Sequence, residues 1–197
     1  MMEEVIAKSS ESTRFYRSAL RESTLTFGTK AETLERLSPL VQTCSIPDLL
    51  YFTLGEWSAG AERVLDRIRQ RFGLSSLAVR SSAYHEDTAA ESMAGAFRSV
   101  LRVDGACRES LRREIDGVLE SYHSAHPHNQ VLVQPMLSNV VMSGVLMTHD
   151  LTNGAPYYIL NYDDESGRTD VITGGTDVNK SLVVHRDTPS DFIESPG

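Results

Sequence analysis

Between Leu54 and Phe72 the apolar residues Trp57, Ala61, Val64, Leu65 and Ile68 recur at i, i+4, i+7, i+8 and i+11. That spacing puts them on one stripe of a single helix, and Gly73 follows as a C-terminal stop. A second helix is expected over 108–122, with Leu111, Ile115, Val118 and Leu119 on one face. A third is expected over Lys30–Leu37, a run of strong helix formers that follows a glycine and ends before Pro39. Residues 1–22 are polar with weak periodicity and read as a frayed start or a short helix carrying Phe15, Tyr16 and Leu20. Most of the rest reads as short strands: 77–79, 131–133, 144–147, 157–160, 171–173 and 181–184. Asn153-Gly154 marks a hairpin between the third and fourth of these. Early helices and a late antiparallel meander predict an α+β fold.

Composition narrows the partners. The 197 residues carry 19 Lys+Arg against 27 Asp+Glu, a formal net charge of −8. That balance argues against a nucleic-acid scaffold, which needs a basic surface, but leaves room for a nucleotide held by a few local cations. No apolar run approaches the roughly 20 residues that cross a bilayer, and the acidic Met1–Val5 start lacks a secretory pattern. Cys44 and Cys107 are far apart without CxxC spacing, so a reduced cytoplasmic chain with both thiols in or near the core is expected. The sequence stops at Ser195-Pro196-Gly197 directly after a strand-like run, which predicts a piece of a longer protein.

The stretch from Leu77 to Val103 carries the most chemistry. A buried strand delivers Arg80, followed by Ser81, Ser82 and Ala83, and a polar loop then reaches Ser92-Met93-Ala94-Gly95. Small residues let backbone N–H groups approach an anion closely, and arginine suits forked recognition of phosphate oxygens. An ordinary strand end with a surface arginine and a Ser-rich turn fits the same residues.

Ala78-Val79-Arg80-Ser81-Ser82-Ala83, Glu86-Asp87 and Ser92-Met93-Ala94-Gly95 together resemble, in order, the ATP-binding domain of the phosphoenolpyruvate synthase and pyruvate phosphate dikinase family. The resemblance implies an ATP-grasp-like nucleotide-binding domain of two lobes, truncated here and occupying 23–197 behind the polar 1–22 segment. It implies ATP and Mg²⁺ as ligands, with Arg80 on the phosphates and Ser92, Ala94 and Gly95 folding over them. Phe27-Gly28-Thr29-Lys30 resembles the family's Gly-Gly-Lys element, which makes Lys30 a second phosphate cation, with Thr29 standing where the second glycine is usual. Val131–Leu137 resembles the strand that borders adenine, and Gln134, Met136 and Leu137 are the positions carried over. Ser143–Asp150 resembles a following strand and turn, with His149 where arginine is usual.

Downstream, Tyr157–Asp170 departs from the synthases and, with the Phe27–Leu37 start, looks most like the branch of L-glutamine kinase and related capsule-biosynthesis kinases. The implied function is the ATP-binding part of a kinase that passes a phosphoryl group through a phosphohistidine domain, absent here, to a small-molecule acceptor such as L-glutamine. A phosphoenolpyruvate synthase fragment, a rifampicin-phosphotransferase-like fragment and a non-catalytic nucleotide-binding module are the competing readings. Asp163, Asp164 and Glu165 read as a solvated acidic turn before a Mg²⁺ site. His123, His126 and His128 read as a polar loop before a metal site.

Overall fold

The computed structural model describes residues 26–84, 87–88, 91–92, 98–122, 126–168 and 180–187. The expectations for 1–22, for the strand at 171–173, and for Glu86, Ala94, Gly95 and His123 fall outside these residues. The chain divides into two units, Met1–Met136 and Leu137–Gly197.

In the first unit the described elements are α1 (Lys30–Leu37), β1 (Leu50–Thr53), α2 (Leu54–Phe72), β2 (Ser76–Ser82), β3 (Asp87–Thr88), β4 (Glu91–Ser92), β5 (Ser99–Asp104), α3 (Arg108–Glu120) and β6 (Gln130–Pro135). Four strands form an antiparallel sheet in the order β1-β6-β2-β5, and β3 and β4 pair as a small ribbon. The three expected helices are present within two residues of their expected ends. α2 opens on a capping box at Thr53 and Glu56, and Gly73 ends it at φ 63°. Gly60 interrupts its helical backbone with a kink, so the stripe is carried by two helical pieces.

Side chains alternate across a strand, and paired residues share a face. One face of the sheet therefore carries Leu50, Phe52, Leu77, Val79, Val131 and Val133. It packs with Trp57, Val64, Leu65, Ile68 and Phe72 of α2 and with Leu111, Ile115 and Val118 of α3 into one buried core. Trp57 adds a polar tie across the helices, its Nε1–H donating to Asp116 Oδ1 at 2.8 Å. The opposite face carries Ala78, Arg80, Ser82, Gln130, Leu132 and Gln134, and the start of α1 lies against it. β5 bulges where Leu101 and Arg102 oppose the single residue Ala78.

One thiol differs from expectation. Cys44 is exposed, because it lies in the irregular stretch between α1 and β1. Cys107 is half-buried at the N-cap of α3.

In the second unit the described strands β7 (Ser143–Met147), β8 (Tyr157–Asp163) and β9 (Lys180–His185) form an antiparallel meander. The expected turn joins β7 to β8, with Gly154 at φ 72° and its N–H donating to Asp150 O. Among the described residues no helix is long and apolar enough to cross a membrane.

Candidate functional site

α1 begins against the polar face of the sheet because its first turn is tied there by hydrogen bonds. Thr29 is its N-cap, at φ −62° and ψ 167°, an extended conformation open to any residue. The Thr29 hydroxyl accepts from Glu32 N at 3.3 Å, and Glu32 Oε2 accepts from Thr29 N at 3.3 Å. The same hydroxyl donates to Gln130 Oε1 at 2.6 Å. Ala31 N donates to Ser82 Oγ at 3.0 Å. The first turn thus spends N–H groups on capping and on β2. Lys30 Nζ donates to Ser81 O at 3.4 Å, which brings the ammonium to the strand that carries Arg80.

Gly28 leaves room for the Glu32 carboxylate of the capping box. A Cβ there would meet Glu32 Oε2 at 2.2 Å, an oxygen already committed to the capping box and paired with Arg36.

Arg80 is partly buried on the polar face, paired across the sheet with Leu132 of β6 and Ser99 of β5. Its Nε is the one buried side-chain nitrogen or oxygen without a hydrogen-bond partner among the described residues. An unsatisfied buried donor costs about 1–3 kcal/mol, and here it belongs to a guanidinium, which binds phosphate oxygens with forked geometry. Next to it in β2, Ser81 and Ser82 are buried. Ser82 N donates to Tyr122 Oη at 3.0 Å, and that hydroxyl donates to Gln130 O.

Gln134 shares the polar face with Arg80, but its side chain is buried and its Nε2 donates to Pro47 O at 3.4 Å. Met136 follows half-buried, its N–H donating to Ser76 O at 2.8 Å. Leu137 opens the second unit and is exposed. Ser92 is described only as backbone in β4, and Ala94 and Gly95 lie outside the described residues. Lys30, Arg80, Gln134 and Met136 therefore belong to one unit, with Lys30 and Arg80 drawn together by the β2 end.

The other candidates are engaged elsewhere. The Ser166 hydroxyl, and after it the N–H groups of Glu165 and Ser166, donate to Asp163 and hold its carboxyl below the usual range. Lys180 pairs with Asp164 and Glu165 at 2.6 and 3.0 Å, so this acidic turn carries its own cation. His126 stacks on Tyr84 at 5.0 Å and lies 5.4 Å from His128. His149 Nε2 faces Arg186 Nη1 at 2.9 Å. Among the described residues no group of three or more His, Cys, Asp or Glu side chains could hold a metal ion.

Sequence reading missed the polar hub of Gln130, Tyr122 and Asn129. Asn129 Oδ1 accepts from Tyr84 N at 3.1 Å, and Asn129 O accepts from Leu54 N at 2.8 Å. The one signal was a pair of polar residues, Asn129 and Gln130, directly before the apolar run Val131–Val133.

Residues 55–174, more than half of the sequence, match the family described as pyruvate phosphate dikinase, AMP/ATP-binding domain. The chain belongs to this family. The match contains Arg80, Ser92, Ala94, Gly95, Gln134, Met136 and Leu137, whereas Lys30 lies ahead of it. A chain of the pyruvate phosphate dikinase AMP/ATP-binding family is the nucleotide-binding part of a phosphotransferase. No curated protein matches the sequence.

Proposed function

We propose that residues 23–197 are part of an ATP-grasp-like domain that binds ATP for a phosphotransferase, with Arg80 and Lys30 as its phosphate cations. The observation that carries this reading is the orphaned Arg80 Nε on the polar face, beside the carbonyl that receives Lys30 Nζ. Phosphoryl transfer needs little covalent chemistry from the protein. It needs the phosphates positioned and their charge neutralised away from bulk water. Arg80 serves as a fork anchored in the sheet, and Lys30 as a point charge on a longer stem. Ser92, Ala94 and Gly95 supply a close-approaching loop in this reading, and Gln134, Met136 and Leu137 the adenine border. Gln134 takes part there as a wall residue and through backbone groups, its amide being held by Pro47.

Mg²⁺ enters as the counter-ion that ATP carries, and no protein ligand is assigned to it. The phosphoryl group passes to a phosphohistidine domain of the same full-length protein and from there to a small-molecule acceptor. The resemblance of the Phe27–Leu37 and Tyr157–Asp170 segments favours L-glutamine and a cytoplasmic capsule-biosynthesis kinase.

Calorimetric titration with a non-hydrolysable ATP analogue and Mg²⁺ tests the site. Arg80→Ala is expected to weaken binding about tenfold or more, equivalent to about 1.4 kcal/mol. Equal affinity in Arg80→Ala and the parent chain would overturn the assignment of Arg80.

A further inference from the structure

We propose that Gln130 is a positioning residue: its buried amide holds the residues on either side of Lys30 against the sheet and so sets where the lysine stands relative to Arg80. The proposal rests on the nucleotide-site reading above and adds to it a residue outside the resemblance.

Gln130 is 5 % exposed at the start of β6, on the same face as Arg80. Its Oε1 accepts from Thr29 Oγ1 at 2.6 Å and from Ser82 Oγ at 3.5 Å. Its Nε2 donates to Glu32 Oε1 at 2.8 Å. One amide thereby grips α1 just before and just after Lys30, from residues about a hundred positions away in the chain. Ser82 fixes the position between them by accepting from Ala31 N. Three residues flanking Lys30, namely Thr29 before it and Ala31 and Glu32 after it, are thus tied to β2 and β6, and the backbone of Lys30 has a single place. Its ammonium then falls at Ser81 O, one residue along β2 from Arg80.

A lysine stem has many rotamers, so an ammonium on a loosely held backbone would lose much freedom on meeting a phosphate. Fixing the backbone in advance removes part of that cost. Filling the space under α1 would require only an apolar side chain. An amide that satisfies both its oxygen and its nitrogen specifies position as well as volume.

The test is a double-mutant cycle on the full 197-residue chain, read by titration with a non-hydrolysable ATP analogue and Mg²⁺ and by thermal unfolding. The variants are Gln130→Met, Lys30→Ala and the pair of them. Gln130→Met is expected to weaken nucleotide binding about tenfold in the parent chain and to have little further effect once Lys30 is alanine. Gln130→Glu keeps the acceptor for Thr29 and sets a carboxylate against Glu32, so it supplies the same cycle if the methionine variant does not fold. A merely structural glutamine lowers the melting temperature while its effect on binding adds in full to that of Lys30→Ala; that additivity, or unchanged affinity in a folded Gln130 variant, would overturn the proposal. If Lys30→Ala and Arg80→Ala both bind like the parent chain, the nucleotide-site reading itself falls and this proposal with it.

Discussion

Two residues hold conformations or protonation states that their surroundings impose. Arg102 sits in the β5 bulge at φ 58°, in the left-handed region that glycine and asparagine occupy at lower cost. Its side chain is exposed, so little packing depends on it. Arg102→Gly or Arg102→Asn is expected to stabilise the fold by about 1 kcal/mol, read as a higher midpoint in chemical denaturation. A lower midpoint would mean that the arginine makes a contribution outweighing its backbone strain. Tyr51 is the second case. Burial, then a 2.7 Å hydrogen bond to Glu35, pushes its hydroxyl from 10.0 up to about 12. The neutral phenol is therefore favoured more in the folded chain than in the unfolded one. Its contribution is complete below pH 10 and disappears as pH rises through about 12. Melting temperatures measured across that window should fall less steeply for Tyr51→Phe than for the parent chain.

Helices were legible in the sequence because apolar spacing and caps are local. The stripe from Trp57 to Ile68 and the stops at Gly73 and before Pro39 appear where expected. β1 was missed, since four residues, Leu50–Thr53, run straight into the cap of α2 and leave no room for an alternating pattern. β5 was missed because its bulge breaks the period of two. The arginine and lysine of the candidate site were legible through resemblance. The hub at Gln130 was not, because nothing local links it to Thr29 and Glu32. Tight approaches between elements are equally silent in a sequence. Gly105 N donates to Ser75 O at 3.2 Å, and a Cβ at Gly105 would stand 2.3 Å from that same oxygen. Gly105→Ala must push the β5–α3 turn off β2, and a loss of about 1–3 kcal/mol is expected in equilibrium unfolding. An unchanged unfolding curve would show that the turn gives way freely.

At the scale of the molecule the two units differ in how they bury apolar surface. Every residue of the continuous core, from Leu50 to Val133, lies in the Met1–Met136 unit. In the β7–β9 meander Leu146 and Leu182 on one face, and Val145 and Val183 on the other, remain exposed. A chain ending at Met136 should therefore keep a single cooperative thermal transition, with its midpoint within about 5 °C of the parent chain's. Loss of cooperativity on truncation would show that the core needs the second unit.

The strand order β1-β6-β2-β5 also dictates a timetable. β6 sits between β1 and β2, yet it is the last strand of its sheet to be synthesised. Until Gln130–Pro135 has left the ribosome, β1 has no neighbour, β2 has only β5, and the Thr29 end of α1 has no amide to grip. A nascent chain shorter than this can form helices and the β2–β5 pair, but the sheet that covers the Trp57–Phe72 stripe stays open. At ordinary translation rates of about 5–20 residues per second, the roughly eighty residues separating β1 from its partner keep that apolar face waiting for several seconds.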